Sequence, residues 1–180
     1  MGDLVRKMVT VIDEFANQDQ LESIKRSTIN QPLWRFGQKS NYDTQWPMWF
    51  INLYIHHESK FKDDIDPNLI NLTKKFCDMY PGKKILRAMI AGNTYGLDGD
   101  VHTDHPNNTH VTMVLYLNKN WYPQWGGHTA VFDNDKTTVV DPQPGRAVIF
   151  PSNLPHVGYA PTRSCGELRT ILAVQLYDYL

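Results

Sequence analysis

The sequence predicts an α+β fold that is mainly β: a double-stranded β-helix, or jelly roll, with N-terminal helices packed on one sheet. Helix signals occur only in the first half of the chain, and from Lys84 onward short apolar runs alternate with turn residues. A chain of 180 residues, 41% of them hydrophobic, buries roughly 70% of the surface that its unfolded form exposes. We therefore expect one domain over residues 1–180, with helices and outer strands in 1–83 and the jelly-roll core in 84–180.

Two helices are predicted before the barrel. Asn17 or Asp19 is a suitable N-cap residue for the first helix. Asp66-Pro67 marks the start of the second, because proline is favoured at the first helical position. Pro81-Gly82 ends this helix. Its buried stripe is expected to consist of Leu69, Leu72, Phe76 and Tyr80.

Short strands at a regular pitch are predicted for the second half of the chain. The eight runs are Ile85–Ala91, Asp100–Asp104, His110–Leu117, Thr129–Phe132, Thr137–Val140, Ala147–Phe150, His156–Tyr159 and Thr170–Tyr177. Such a pitch is typical of an all-β sandwich or barrel rather than of βαβ units, and eight strands fit a double Greek key. Residues 32–50, rich in Trp, Gly, Asn and Pro, are expected to add a lid or an outer sheet.

Charge and cysteine content limit which binding partners and which cellular location we expect. The formal net charge is −1 and the isoelectric point about 6.6, so neither a nucleic acid nor an anionic membrane is an expected partner. Cys77 and Cys165 are too few for a disulfide framework. The sequence shows neither a secretory leader nor an apolar run of the ~18 residues that a membrane span needs. We therefore expect a cytoplasmic protein, whose oligomeric state the sequence leaves open.

A candidate metal site begins with His102-Thr103-Asp104. Residues i and i+2 of a strand share one face, so the imidazole and the carboxylate are expected to reach one ion. His156, in the seventh predicted strand, completes a set of two histidines and one carboxylate. This set leaves coordination positions open and suits non-haem Fe(II) and its O2 chemistry. The triplet alone is weak evidence, because His-x-Asp also occurs by chance at surface turns.

A candidate anion site begins with Arg169, which opens the last predicted strand. An arginine entering an apolar barrel needs an anionic partner, since an unpaired buried charge is very costly. A dicarboxylic ligand with one end on the metal and the other on Arg169 would meet that need, because the guanidinium matches a carboxylate through two hydrogen bonds. A surface salt bridge with Glu167 is the alternative for Arg169. Arg163, in the preceding loop, is the rival anchor.

Three further residues are candidates for the same ligand. Tyr116 ends a predicted strand, and its hydroxyl is expected to add a hydrogen bond to the carboxylate held by Arg169, although an ordinary core tyrosine would look the same. Asn93 and Tyr95 are two residues apart and are expected to share a face of the first barrel strand. They are candidates for lining the co-substrate pocket, and a role in a turn is the alternative.

From Arg87 to Tyr177 the sequence resembles the Fe(II)/2-oxoglutarate-dependent oxygenases, and within them the prolyl 4-hydroxylase-like branch. The resemblance is carried by His102-x-Asp104, the run Val111–Asn118, Trp121, Gly126-Gly127, Phe132, the run Pro144–Phe150, Pro155-His156 and Arg169-Thr170. It implies that His102, Asp104 and His156 ligate iron. It also implies that Arg169 and Tyr116 bind the distal carboxylate of 2-oxoglutarate. Asn93-x-Tyr95 is similar to a pair that contacts 2-oxoglutarate in some relatives.

The resemblance implies a dioxygenase that uses Fe(II), 2-oxoglutarate and O2 to hydroxylate a substrate C–H, releasing succinate and CO2, with ascorbate as a candidate reductant. The expected catalytic residues are His102, Asp104, His156 and Arg169. The branch favours a prolyl residue in a peptide or protein as the substrate. A free amino acid or another small metabolite is an alternative, and a cupin-like metal- or ligand-binding barrel without oxygenase activity is another.

Overall fold

The structure is a computed structural model that describes residues 9–40, 46–134 and 136–178. The two α-helices in these ranges are α1 (Gln18–Ile24) and α2 (Pro67–Asp78), and a π-helical turn, Lys25–Ile29, follows α1 directly. Short 3-10 turns cover His56–Glu58 and Pro123–Trp125. Within the described ranges, no helix is long and apolar enough to cross a membrane.

Twelve strands are found in the described part of the chain. They are β1 (Thr10–Ile12), β2 (Arg35–Gln38), β3 (Met48–Asn52), β4 (Tyr54–Ile55), β5 (Lys60–Phe61), β6 (Lys83–Asn93), β7 (Val111–Tyr116), β8 (Thr129–Asp133), β9 (Lys136–Val140), β10 (Ala147–Pro151), β11 (His156–Gly158) and β12 (Arg169–Asp178).

The strands form one large and two small antiparallel sheets. The large sheet has seven strands in the order β1-β10-β7-β12-β6-β3-β2, the second sheet has the order β11-β8-β9, and β4 pairs with β5. Strands from the first part of the chain thus extend both edges of the large sheet. This arrangement confirms the predicted mainly β fold with N-terminal helices.

Alternation along β7 separates two apolar cores. Met113 and Leu115 face the helices, in a cluster that also contains buried residues of α1 and α2. Val114 and Tyr116 face the opposite way and pack against the second sheet. Because neighbouring side chains of a strand point to opposite faces, β7 serves both cores, and its second face lines the barrel interior.

Both helices begin where the capping signals predict. The Asn17 side chain accepts a hydrogen bond from the Gln20 backbone N–H at 2.9 Å, and the Gln20 side chain accepts one from the Asn17 N–H at 3.0 Å. This capping box identifies Asn17, not Asp19, as the N-cap of α1. Asp66 caps α2 through the Asn68 N–H at 2.7 Å, with Pro67 at the first helical position.

The strand predicted for Asp100–Asp104 is not formed. The segment makes a single bridge, in which the backbones of His102 and His156 exchange hydrogen bonds of 3.0 and 2.8 Å. The N–H groups of Asp104 and His105 then both bond to the carbonyl of Ser152, so the chain turns away from a ladder. Proline follows at position 106 and has no N–H to donate, so it cannot contribute a ladder hydrogen bond that would continue a strand. The prediction of eight barrel strands is therefore wrong at this one.

Candidate metal centre

Two imidazoles and one carboxylate meet inside the barrel. The ligand atoms of His102, Asp104 and His156 all lie within 4.8 Å of one another. Nε2 of His102 is 3.7 Å from Asp104 Oδ1, and Nε2 of His156 is 3.6 Å from Asp104 Oδ2. Atoms 3.6 and 3.7 Å apart can each lie about 2 Å from one ion between them. The arrangement therefore fits a mononuclear site with two nitrogen ligands and one oxygen ligand.

Backbone carbonyls orient both imidazoles. Nδ1 of His102 lies 2.8 Å from the carbonyl of Asp100, and Nδ1 of His156 lies 3.0 Å from the carbonyl of Leu154. A carbonyl only accepts, so each Nδ1 carries the proton and each Nε2 presents a lone pair to the space beside Asp104. Burial lowers the pKa of His156, which favours the neutral form that a metal ligand requires.

Asp104 is held as an ionised carboxylate. Burial acts to raise its pKa, but its interactions with His156 and Arg87 and a hydrogen bond from Thr112 bring that pKa below its ordinary value. The Thr112 hydroxyl donates to Asp104 Oδ2 at 2.7 Å and lies 2.8 Å from the hydroxyl of Ser152. These contacts fix the carboxylate and keep it available to a cation.

A buried guanidinium lies in the same barrel. Arg169 is 1% exposed. It donates from Nε to the Gly127 carbonyl at 2.5 Å, from one terminal nitrogen to Thr129 Oγ1 at 3.0 Å, and from the other to Asn93 Oδ1 at 3.4 Å. All three acceptors are neutral. No carboxylate of the described residues lies within 4.0 Å of Arg169. The charge is hydrogen-bonded but lacks a counterion, which fits an anionic ligand.

The predicted alternatives for Arg169 do not match its surroundings. Glu167 lies beside Lys25, at 3.7 Å, and 3.3 Å from the Asn118 amide, not beside Arg169. Arg163 is exposed in the loop before β12. Of the two candidate anchors, Arg169 alone lines the cavity that contains the metal ligands.

Gly127 makes room for Arg169. Its φ is +76°, and a Cβ placed there would lie 3.0 Å from Arg169 Cδ and 3.0 Å from the ring of Trp121. Positive φ is also strained for residues other than glycine. The Gly126-Gly127 turn before β8 therefore provides a cradle that only a residue without a side chain can form.

Tyr116 and Asn93 lie beside Arg169, and Tyr95 does not. The Tyr116 ring is buried 5.3 Å from the Arg169 guanidinium carbon, and its hydroxyl is 2.8 Å from Thr129 Oγ1. Asn93, the last residue of β6, is buried in the cavity wall. Tyr95 follows the strand in a turn, with its side chain 62% exposed. The prediction that Asn93 and Tyr95 share a strand face is wrong, because β6 ends at Asn93.

Two threonines of the site were not predicted. Thr129, in β8, accepts a hydrogen bond from Arg169, and Thr112 holds Asp104. Period-two alternation would have found Thr112, because it lies four residues before Tyr116 and so on the same face of β7. For Thr129, the signal in the sequence is the Gly126-Gly127 pair that ends two residues before it.

One cavity joins the metal ligands to the guanidinium. Its polar lining includes His102, Asp104, His156, Asn93, Thr129 and Arg169. Between these two ends the wall is mainly apolar and consists of Met89, Ala91, Val114, Ile171 and Ala173. A ligand that spans both ends would therefore meet a cation-binding group at one end and a fixed positive charge at the other.

Several solved structures share this fold. A prolyl hydroxylase from Trichoplax adhaerens, in complex with a hypoxia inducible factor oxygen degradation domain peptide fragment, is 20% identical with a TM-score of 0.71, over 94% of this chain and 83% of that one. A Pseudomonas putida prolyl-4-hydroxylase is 18% identical with a TM-score of 0.69, over 96% and 93%. The viral collagen prolyl hydroxylase of Paramecium Bursaria Chlorella virus-1, as its 2OG complex, is 13% identical with a TM-score of 0.72, over 99% and 100%.

These similarities confirm the predicted double-stranded β-helix. No curated protein matches the chain by sequence. The sequence of residues 90–175 does match the 2OG-Fe(II) oxygenase superfamily. This range contains the three candidate metal ligands and Arg169, so the family's requirement for Fe(II) and 2-oxoglutarate agrees with the donor set and with the unpaired guanidinium. By this match, residues 90–175 have the sequence pattern of the 2OG-Fe(II) oxygenase superfamily.

Proposed function

We propose that this protein is a 2-oxoglutarate-dependent dioxygenase that hydroxylates a prolyl residue in a peptide or protein. The observation that carries the oxygenase chemistry is one cavity with a 2-His-1-carboxylate set at one end and a buried arginine without a counterion at the other. The prolyl substrate is supported by the fold shared with three prolyl hydroxylases, one of them bound to a peptide.

In this proposal the protein holds both ends of 2-oxoglutarate. His102, Asp104 and His156 would hold Fe(II), and Arg169 would bind the distal carboxylate through its planar fork. Thr129 and Tyr116 lie within hydrogen-bond distance of each other at 2.8 Å and fix the surroundings of that guanidinium. The iron with its co-substrate and O2 supplies the oxidative chemistry.

The chain's own contribution is orientation and exclusion of water. The two Nδ1–H groups donate to backbone carbonyls, so both imidazoles keep one orientation whether or not a ligand is bound. Apolar side chains between the two ends of the cavity, such as Val114 and Ile171, keep bulk water from the reacting atoms. A preorganised, dry site strengthens the charge interactions within it.

The test is product analysis with the full chain, Fe(II), 2-oxoglutarate and O2. Proline-containing peptides and free L-proline are supplied separately, and mass spectrometry looks for the gain of one oxygen atom while succinate is quantified. We expect succinate formation to be stimulated by the peptides, with the added oxygen on the prolyl ring. Asp104→Ala, which removes the carboxylate ligand, is expected to abolish both signals.

The outcomes test the oxygenase activity and the identity of the substrate separately. If succinate forms and free L-proline is hydroxylated while no peptide is, the substrate is a small molecule and not a peptide. Oxygen added to a residue other than proline would overturn the prolyl substrate and keep the dioxygenase. Unchanged succinate formation in Asp104→Ala would refute the metal-site assignment itself.

A further inference from the structure

Arg87 lies at the metal end of the cavity. The strand registers place Arg87 of β6 in one row with Gln175 of β12 and Thr112 of β7. Thr112 is the residue whose hydroxyl holds the carboxylate of the metal site. Arg169 pairs with the last residue of β6, six positions further along, and six residues of strand span about 20 Å. The two arginines both line the cavity, so they mark its opposite ends.

The Arg87 guanidinium flanks the carboxylate of Asp104 without a direct hydrogen bond. Its terminal nitrogen is 3.8 Å from Asp104 Oδ1, beyond hydrogen-bond distance. The hydroxyl of Thr112, by contrast, donates to Oδ2 at 2.7 Å. The Arg87 side chain is 43% exposed, and that of Asp104 is 7% exposed. Thr112 therefore fixes the carboxylate, whereas Arg87 contributes a positive charge to its surroundings.

This positive charge has opposite effects on a cation and on an anion in the site. An ion about 2 Å from Asp104 Oδ1 would lie no more than about 6 Å from the Arg87 nitrogen. That separation is shorter than the Debye length of about 8 Å at physiological salt, so solvent ions screen the interaction only in part. The guanidinium therefore repels a divalent metal ion and attracts a carboxylate that binds beside it.

We infer that Arg87 sets the balance between the two ligands of the site: it weakens the binding of the divalent metal and strengthens the binding of 2-oxoglutarate. This inference rests on the proposed function, in which one carboxylate of the co-substrate lies at the metal end and the other at Arg169. A single charge thus biases the site toward the co-substrate. Arg87 acts through its electric field and needs no contact with either ligand.

A supporting role toward Asp104 would predict the opposite sign for the metal. Arg87 helps to hold the pKa of Asp104 below its ordinary value. If Arg87 served mainly to keep this carboxylate ionised or in place, its removal would weaken metal binding. If its field on the ion dominates, its removal strengthens metal binding. His156 and Thr112 also lower the pKa of Asp104, so the carboxylate keeps two other stabilising partners when Arg87 is replaced.

The test measures two affinities separately on the full chain near neutral pH. Mn(II) alone is titrated first, and the electron paramagnetic resonance signal of the free ion gives its affinity. 2-Oxoglutarate is then titrated by calorimetry into the chain saturated with Mn(II) under nitrogen, so that no turnover occurs. The variants are Arg87→Gln, which removes the charge, and Arg87→Lys, which keeps it. Arg35→Gln is the matched control, because Arg35 is an exposed residue of the same sheet outside the cavity.

At about 20 mM salt we expect Arg87→Gln to bind Mn(II) about 5-fold more tightly and 2-oxoglutarate about 2- to 3-fold more weakly. These factors follow from a charge of two and a charge of one, each about 6 Å from the guanidinium in a water-like medium. At about 0.5 M salt both differences are expected to fall below about 2-fold, because the field is screened. Arg87→Lys and Arg35→Gln are expected to stay within about 2-fold of the unmodified protein throughout.

Unchanged or weaker Mn(II) binding in Arg87→Gln would overturn this inference. Tighter Mn(II) binding without weaker 2-oxoglutarate binding would also overturn it, and so would differences that persist at high salt. Thermal unfolding is measured on every variant, and Arg87→Met takes the place of Arg87→Gln if the latter does not fold. Failure of the unmodified, Mn(II)-loaded chain to bind 2-oxoglutarate would count against the proposed function. Intact co-substrate binding without the two opposite shifts would count against this inference alone.

Discussion

At the scale of single residues, the site depends on Arg169, a fully buried cation whose described partners are all neutral. Burial disfavours the charged guanidinium and lowers its pKa. Three hydrogen bonds offset part of that cost, and a carboxylate would offset more. This is why a charged residue at the start of a buried strand is a strong indication of an anionic ligand.

Replacing Arg169 by Ala is expected to weaken 2-oxoglutarate binding by roughly 30-fold or more, because losing one partner of a buried charge pair costs about 2–5 kcal/mol. The 2-oxoglutarate affinity of Arg169→Lys is expected to fall between those of the unmodified protein and Arg169→Ala, since lysine keeps the charge and loses the planar guanidinium. The measurement is calorimetric titration with Mn(II) under nitrogen. Arg163→Ala is the matched control, as Arg163 is exposed six residues earlier. A larger loss in Arg163→Ala than in Arg169→Ala would reverse the assignment.

Residue types differ in how visible they are from sequence. His102, Asp104, His156 and Arg169 are predicted from their spacing on the expected strands together with the resemblance to the 2-oxoglutarate oxygenases. Thr129 was missed, because a threonine in a strand is ordinary β-forming sequence. The prediction for Tyr95 failed because it depended on a strand boundary, which is the least certain part of a pattern.

At the scale of elements, Asp66 joins the two helices. It caps α2, and its Oδ2 also accepts hydrogen bonds from Ser23 at 2.7 Å and Ser27 at 2.5 Å. Although burial acts to raise its pKa, these hydrogen bonds hold the pKa of Asp66 below its ordinary value. One carboxylate therefore ties the start of α2 to α1 and to the π-helical turn that follows it.

We expect Asp66→Asn to lower the free energy of unfolding by about 1 kcal/mol near neutral pH. Because the folded pKa is depressed, the ionised group stabilises the fold above the unfolded pKa. This contribution is lost as the pH falls below about 4. The difference between Asp66→Asn and the unmodified protein, measured by urea unfolding, should therefore shrink between about pH 7 and about pH 3. Asp64→Asn, at an exposed site, controls for general charge effects, and a pH-independent difference would contradict the linkage.

Element prediction succeeded where local signals and burial agree. The capping residues Asn17 and Asp66 marked helix starts that the structure has, and apolar runs marked seven of the eight predicted barrel strands. The Asp100–Asp104 segment differs because its backbone bonds to His156 and Ser152 rather than to a continuous ladder. That pairing is a long-range event, and no local pattern reports it.

At the scale of the whole molecule, the N-terminal segment is fastened to the barrel at the turn before β10. The Ala16 N–H donates to the Gly145 carbonyl at 3.2 Å, and Arg146 pairs with Asp13 at 2.6 Å. Gly145 has a φ of +73°, and a Cβ there would lie 2.0 Å from the Ala16 carbonyl oxygen. This contact brings two backbones together at a distance that excludes a side chain.

Gly145→Ala is therefore expected to destabilise the protein by about 3 kcal/mol or more, through both the positive φ and the backbone clash. Thermal and urea unfolding provide the measurement. Gly166→Ala is the matched control, because nothing lies within 4 Å of its added Cβ and its φ is not positive. Equal stability of the two variants would show that the N-terminal segment moves aside without cost.

The alternation along β7 has a consequence for how this sequence can change length. Thr112 and Val114 line the cavity and Tyr116 packs on the same face of the strand, while Met113 and Leu115 fill the helix-side core. Inserting or deleting a single codon within this stretch would shift every later side chain to the opposite face. A methionine or leucine would then point toward the candidate metal ligands, and a threonine would point into the helix-side core. A single register of β7 therefore serves both the cavity and the helix-side core. We expect tolerated insertions and deletions to lie in the connecting loops and not in this strand.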